Sequence, residues 1–171
     1  MTAEIPQQLQ NPAFRFCLLN KPDGTEKSKR AFEKNWETKA NYAYDNPKLL
    51  KWLAEGGNVG VVCGYGGLRV LDLDISKDDR GEDYALKNAD KVFDSAPSFA
   101  VRSAHGGLHI YYICHKLPEG WEDKAYVKLP HNAGEFRLRN CYVVCPPSRI
   151  DPPHTYTVWN AAEITVSKEI I

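Results

Sequence analysis

Residues 70–75 alternate between aliphatic and acidic side chains, in the order Val-Leu-Asp-Leu-Asp-Ile. Successive side chains of a β-strand point to opposite faces, so Asp72 and Asp74 share one face while Leu71 and Leu73 share the other. Two carboxylates held this close repel each other unless a divalent cation bridges them. The pattern therefore predicts a half-buried strand whose open face either binds a metal ion or is simply acidic, as in many one-sided strands.

Most of the remaining sequence is typical of short strands. The predicted strands cover residues 14–19, 58–63, 68–75, 98–102, 108–114, 135–138, 141–144 and, as the last one, 155–158. The Gly-Tyr-Gly-Gly sequence of residues 64–67 predicts a hairpin between the second and third strands. Residues 139–140 predict a second hairpin, between the strands at 135–138 and 141–144.

Two helices are predicted between these strands. One begins at Pro47, after a capping residue at 45 or 46, and buries Leu49, Leu50 and Leu53. The spacing of apolar residues predicts the other over 81–93. The fold class is therefore α+β with a mixed or antiparallel sheet. The 171 residues fit one domain, with an N-terminal α/β part to about residue 57, a core to about residue 160 and a tail over 161–171.

Composition excludes several classes of protein. Hydrophobic residues make up 43% of the chain and charged residues 26%, as in an ordinary globular protein. The sequence has no apolar run long enough to cross a bilayer and no secretory leader, so we expect a cytoplasmic protein without membrane contact. We also expect it to be a monomer. Its five dispersed cysteines lack zinc-ligand spacing and predict buried, reduced thiols.

The formal charge is zero, with 22 basic and 22 acidic residues, so any binding of nucleic acid must depend on a local basic patch. One candidate patch contains Lys27, Lys29 and Arg30, and another contains Arg137 and Arg139. A solvated helix start explains the first patch better than binding does, because runs of charged residues usually face water.

A Gly-Gly pair precedes the predicted strand at 108–114. Gly106 and Gly107 follow His105, and glycines at such a position let the backbone approach a phosphate closely with its N–H groups free. His109 and Tyr111 share one face of the following strand, which we expect to be polar. An ordinary turn followed by a structural histidine would produce the same pattern.

The strand predicted at 135–138 carries a third set of polar residues. Glu135, Arg137 and Arg139 alternate with apolar residues and are expected on one face. Glu135 suits a divalent cation, and an arginine binds phosphate bidentately. A surface ion pair is the alternative explanation.

Four ordered blocks resemble the N-terminal primase-polymerase domain of plasmid, phage and mobile-element replication proteins, within the archaeo-eukaryotic primase superfamily. The blocks are Asn-Val-Gly-Val at 58–61 with Cys-Gly at 63–64, the aliphatic run ending in Asp-x-Asp at 70–74, Ser103 to Tyr112, and Gly-Glu-Phe-Arg at 134–137 followed by Tyr-Val-Val-Cys-Pro-Pro-Ser at 142–148. Tyr156 and Trp159 are similar to the family's Tyr-x-Trp.

This resemblance implies a catalytic core of the RNA-recognition-motif type with flanking helices. It implies that Asp72, Asp74 and Glu135 bind Mg²⁺ or Mn²⁺ and act in catalysis together with His109, which contacts the incoming nucleoside triphosphate. Arg137 would neutralise the triphosphate, and Ser103 would lie near it. The implied activity is template-directed nucleotidyl transfer on DNA, as a polymerase, a primase or both, with a helicase or another replication protein as a further partner.

The sequence departs from the family pattern at three places. Glu135 replaces the usual Asp, His105 stands where Ser is common, and a Lys-x-Pro element is present only as the loose Lys-Ser-Lys-Arg of 27–30. Two other functions remain open from the residues alone. One is a metal-dependent nuclease, which uses the same carboxylates, and the other is a catalytically silent module that binds single strands.

Overall fold

A computed structural model describes residues 4–74, 91 and 97–170 of the chain. The helix predicted over 81–93 lies, apart from Lys91, outside the described residues, as does Ile75. The strands in the described part are β1 Phe16–Leu19, β2 Asn58–Val62, β3 Leu68–Leu73, β4 Ala100–Arg102, β5 Leu108–Lys116, β6 Tyr126–Lys128, β7 Gly134–Arg137, β8 Tyr142–Val144, β9 Arg149–Asp151, β10 His154–Thr155, β11 Thr157–Asn160 and β12 Thr165–Glu169.

A small antiparallel sheet with the order β1-β2-β8 forms one layer. Helix α1, Pro47–Ala54, lies beside this sheet, and the Asn46 side chain caps it by accepting a hydrogen bond from the backbone N–H of Lys48. Leu49 and Leu53 are buried, as predicted, but Leu50 is 49% exposed. That prediction was wrong because position 50 falls outside the narrow stripe of this two-turn helix that faces the core.

The larger sheet has the order β11-β4-β5-β3-β7-β6, and β12 pairs with the second half of β5. All pairs in this sheet are antiparallel except the parallel pair between β12 and β5. The described fold is thus mostly antiparallel sheet with few helices, and the predicted α+β class with a mixed sheet is confirmed at that level.

Both predicted hairpins were wrong, because the strands concerned belong to different sheets. β1 and β8 occupy the two edges of β2, which leaves no edge for β3. Likewise, β3 and β6 occupy the two edges of β7, so β8 pairs elsewhere. The glycine turn at Tyr65–Gly67 instead carries the chain from the small sheet to the large one through positive φ angles at Gly66 and Gly67.

The C-terminal segment also differs from expectation, since β11 is not the last strand. β12 follows it and pairs with β5 from Tyr112 to Lys116, so residues assigned to a tail are part of the large sheet. β12 continues β5's edge where the short β4 ends, because β4 covers only Leu108 to Ile110.

Two apolar clusters lie on opposite faces of the large sheet. The first packs the small sheet against Leu68, Val70 and Tyr111, and the second contains Leu71 and Leu73. The five cysteines are buried and free, which confirms that prediction. Within the described ranges, no helix has the length and apolar character needed to span a bilayer.

Candidate active site

Three polar residues lie in one row across the centre of the large sheet. Asp72 on β3 pairs in register with His109 on β5 and with Glu135 on β7. The same face of β3 and β5 packs into the core at Val70 and Tyr111, one residue pair further along. The row therefore lies where the space between the two sheets opens to solvent, and it lines a cleft of about 930 Å³.

The two carboxylates of this row share one guanidinium. Nη2 of Arg137 lies 3.3 Å from Oδ2 of Asp72 and 3.1 Å from Oε2 of Glu135, and Nε2 of His109 lies 3.4 Å from Oδ1 of Asp72. Burial acts to raise the pKa of Asp72, but the charges and hydrogen bonds of His109 and Arg137 outweigh it and lower that pKa. Burial likewise opposes the charge of Arg137, while Asp72 and Glu135 raise its pKa. Asp72 and Arg137 thus hold each other ionised.

Two buried polar atoms remain unsatisfied on the side chains that contact Asp72. Nδ1 of His109 and Nε of Arg137 find no hydrogen-bond partner among the described residues. An unpaired buried polar atom costs about 1–3 kcal/mol, so both side chains have a reason to rearrange when a ligand supplies a partner. The ring of His109 faces that of Tyr156, with centroids 6.0 Å apart.

Asp74 also lines the cleft, directly after the end of β3, and its backbone N–H donates to the carbonyl of Ala133. In residues 4–74, 91 and 97–170, no three His, Cys, Asp or Glu side chains stand close enough together to hold a metal ion. The guanidinium of Arg137 takes up the position between Asp72 and Glu135 instead. The donors nevertheless suit Mg²⁺ or Mn²⁺, since both ions prefer carboxylate oxygens, and the assignment of the metal ligands stays a prediction.

The Gly-Gly loop closes tightly against the end of β3. The backbone N–H of Gly107 donates to Oγ of Ser103, and the N–H of Ser103 donates to the carbonyl of Gly107. A Cβ at position 107 would lie 2.7 Å from the carbonyl oxygen of Leu73, so only glycine fits there without displacement. The loop is thereby held beside Asp72, with Ser103, His105 and Gly107 lining the cleft.

A basic side wall faces this loop. Lys29 lines the cleft and pairs with Glu26 at 2.8 Å, and Nε2 of His105 lies 3.3 Å from the other oxygen of Glu26. Lys128, opposite Glu135 in the register of β6 and β7, adds a second lysine to the lining. The cleft therefore combines a carboxylate floor with cationic walls.

Several predicted site residues are not part of this cleft. Gly106, Lys27 and Arg30 are absent from its lining in the described structure. Arg139 lies beyond the end of β7, where its guanidinium donates to the carbonyl of Glu122, so it does not share the face of Glu135 and Arg137. The strand alternation that predicted a common face ends at Arg137.

The predicted polar face of Tyr111 was also wrong. Tyr111 is fully buried in the core, because the small sheet covers its face of β5. The aromatic residues in the lining of the cleft are Trp36, Tyr142 and Tyr156, and the rings of Trp36 and Tyr142 meet edge to face with centroids 4.9 Å apart.

Lys128, Asn132, Trp36 and Tyr142 thus complete the lining that the sequence left incomplete. Two of them carry a signal in the sequence, since Tyr-Val-Lys at 126–128 alternates as a strand does and Tyr142 opens the block at 142–148 that resembles the family. Trp36 and Asn132 reach the cleft from segments in which the sequence shows no feature of the site.

Comparison with known proteins identifies the family. Residues 10–168 match the model of the N-terminal domain of the bifunctional DNA primase/polymerases. The match covers nearly the whole chain, and the chain belongs to this family. No curated protein matches it. Among solved structures, the AEP domain (PP-N190) of the primase-polymerase of cyanophage S-2L is similar with a TM-score of 0.43 and 16% identity, over 92% of this chain and 87% of that one.

Proposed function

We propose that this protein transfers nucleotidyl groups to a primer strand under the direction of a DNA template, using two divalent cations and releasing pyrophosphate. The observation that supports the proposal is the row of Asp72, His109 and Glu135 across three paired strands, at the mouth of the cleft. Membership of the primase/polymerase family agrees with it. A core of the RNA-recognition-motif type, formed around β3, β5 and β7, is part of the same proposal.

Asp72, Asp74 and Glu135 are the proposed metal ligands. When bound there, Mg²⁺ or Mn²⁺ would lower the pKa of a primer 3′-hydroxyl and neutralise charge on the triphosphate, which favours in-line attack at the α-phosphorus. The chain's own contribution is to hold Asp72 as a carboxylate, because His109 and Arg137 lower its pKa. Arg137 already contacts both carboxylates and is positioned to exchange one of them for a phosphate oxygen.

The triphosphate itself would lie along the Gly-Gly loop. Ser103 and Gly107 present a hydroxyl and a backbone turn at the cleft, and Lys29 and Lys128 supply positive charge on its walls. His109, with one ring nitrogen on Asp72, would contact the incoming nucleotide after its unsatisfied Nδ1 turns toward the cleft. The proposed partners are a DNA template with its primer and, in the cell, a helicase or another replication protein.

Primer extension tests the proposal. The purified chain is incubated with a primed DNA template, dNTPs or NTPs, and Mg²⁺ or Mn²⁺, and the products are separated on a denaturing gel. Asp72→Asn should lower the extension rate by about 10³-fold or more, because it removes a metal-binding charge while keeping the side-chain shape. Glu169→Gln is the matched control, since that carboxylate pairs with Lys116 on the surface, away from the cleft.

Two results would contradict the proposal in different ways. Strand cleavage that needs Mn²⁺ but no triphosphate, and that Asp72→Asn abolishes, would identify a nuclease. Equal binding of a single strand by wild type and Asp72→Asn, with extension by neither, would identify a silent binding module.

A further inference from the structure

A second, smaller cleft of about 410 Å³ lies next to the first. Its lining consists of Cys63, Gly64, Tyr65, Arg69, His115, Leu117, Glu122, Arg139 and Asn140. Asn140 also lines the candidate active site, so the two clefts adjoin at the segment between β7 and β8. Nothing in the proposed chemistry of the first cleft uses the second.

Arg69 gives this cleft a buried positive charge. Its side chain is only 9% exposed, and its Nε and Nη1 donate to the backbone carbonyls of Cys114 and Leu138. No carboxylate in the described part of the chain forms an ion pair with it. Buried guanidiniums are usually paired with an anion, because desolvating an unpaired charge is costly.

Arg139 brings a second guanidinium to the same cleft. It donates to the carbonyl of Glu122, and its nearest carboxylate is that of Asp123, at 3.7 Å and fully exposed to solvent. Burial and, to a smaller extent, the charge of Arg139 lower the pKa of Arg69. Two like charges are thus held near each other. Among the described residues, the carboxylates beside them are that of Glu122, which lines the cleft and accepts from the backbone N–H of Gly120, and the exposed one of Asp123, whose weak pairing with Arg139 an incoming anion can replace.

The wall of the cleft is built from a turn that only glycines fit. Gly64 has a φ of +107°, and a Cβ there would lie 3.1 Å from Cβ of Arg139. Gly67 has a φ of +73°, and a Cβ there would lie 2.5 Å from Cε1 of His115. The turn therefore packs directly on Arg139 and His115 and fixes the side of the cleft where the cations stand.

We propose that the cleft of Arg69 and Arg139 binds a backbone phosphate of the single nucleic-acid strand whose neighbouring nucleotides occupy the candidate active site. This inference rests on the proposed function, because it takes the occupant of the first cleft to be a nucleic-acid strand. A strand phosphate is favoured over a free ion, since a volume of about 410 Å³ suits a nucleotide-sized group and the two clefts adjoin at Asn140, which lines both.

The test measures how strand affinity depends on salt. Fluorescence anisotropy of labelled oligodeoxynucleotides of about 4 and about 16 nucleotides, titrated at several NaCl concentrations, reports the number of phosphates contacted. Arg139→Gln should bind the longer strand about fivefold more weakly and reduce the slope of log K against log [NaCl] by about 0.7, the share of one phosphate on a single strand. The shorter strand, which fits within the first cleft, should lose less affinity.

Two further variants keep the test decisive if Arg139→Gln folds poorly. Glu122→Gln removes the carboxylate that lines the cleft and should tighten binding of the longer strand about twofold. Lys168→Gln, an exposed lysine on β12 outside both clefts, is the matched control for loss of one positive charge and should leave affinity and slope unchanged.

The outcomes separate this inference from the proposed function. One outcome overturns the inference and leaves the proposed function standing. In that outcome, Asp72→Asn abolishes Mn²⁺-dependent binding of dATP, Arg139→Gln and Glu122→Gln retain it, and the salt slope of strand binding is unchanged in both of these variants. If the wild-type protein does not bind dATP, the proposed function is overturned instead. Competition by millimolar phosphate or pyrophosphate with equal effect on both strand lengths would identify a free-anion site and also overturn the inference.

Discussion

The two clefts are built on opposite faces of the same strand, which contributes a carboxylate to one cleft and a guanidinium to the other. On β3, Asp72 points to the face that opens between the sheets, while Arg69, three residues earlier, belongs to the other face. Asp72 contacts the side chains of His109 and Arg137, whereas Arg69 among the described residues donates to backbone carbonyls. One alternating strand can thus supply a carboxylate for cations on one side of the sheet and a guanidinium for anions on the other.

Replacing the glycine that supports each cleft should change the free energy of unfolding by different amounts, and this is the strongest effect we predict. Gly134→Ala should destabilise the fold by about 2–4 kcal/mol, because its Cβ would collide with the backbone carbonyl of Asp72 at a φ of +142°. Gly67→Ala should cost less, about 1–2 kcal/mol, because a φ of +73° strains alanine but its Cβ meets only the ring of the exposed side chain of His115. Urea unfolding measures both, and equal losses would mean that the backbone of the first cleft is no more rigid than that of the second.

An intermediate effect concerns the dependence of stability on pH. The folded-state pKa of Asp72 lies below its ordinary value, so its stabilisation is present above the ordinary aspartate pKa and is lost as pH falls through the folded-state pKa. In a chelating buffer, Asp72→Asn should therefore be about 1–2 kcal/mol less stable than wild type at pH 7, with a gap that narrows in acid.

Glu169→Gln serves as the comparison for that measurement. Its carboxyl pKa is also lowered, by Lys116, but the pair is exposed, so its removal should change stability little at any pH. A constant gap between wild type and Asp72→Asn from neutral to acid pH would show that Asp72 does not act through its charge.

The weakest effect we predict is a difference in single-strand affinity between substitutions of two lysines in the N-terminal part. Lys29 lines the first cleft and Lys27 does not, although the sequence places them in one cluster. Lys29→Gln should weaken binding of a single strand about two- to threefold through the loss of one phosphate interaction, while Lys27→Gln should match wild type. Equal weakening in the anisotropy assay would mean that the strand contacts the whole cluster.

Short sequence patterns were sufficient to predict several local features of the structure. The alternation at 70–75 predicted that Asp72 lies beside a buried apolar face, and Asn46-Pro47 predicted the start of α1, because strand pleat and helix capping depend on neighbouring residues alone. The order of motifs also indicated the family that residues 10–168 match. Each of these inferences needed only short spacings along the chain.

The pairing of the strands, in contrast, is known only from the tertiary structure. Residues 64–67 look like a hairpin, yet β2 and β3 join different sheets because both edges of β2 are already occupied. As a result of this pairing, Tyr111 is buried and Arg139 does not share the face of Glu135. Trp36, Tyr142 and Lys128 line the cleft. The sequence could not show these outcomes, since edge pairing and sheet packing depend on contacts between residues far apart in the chain, which no local spacing encodes.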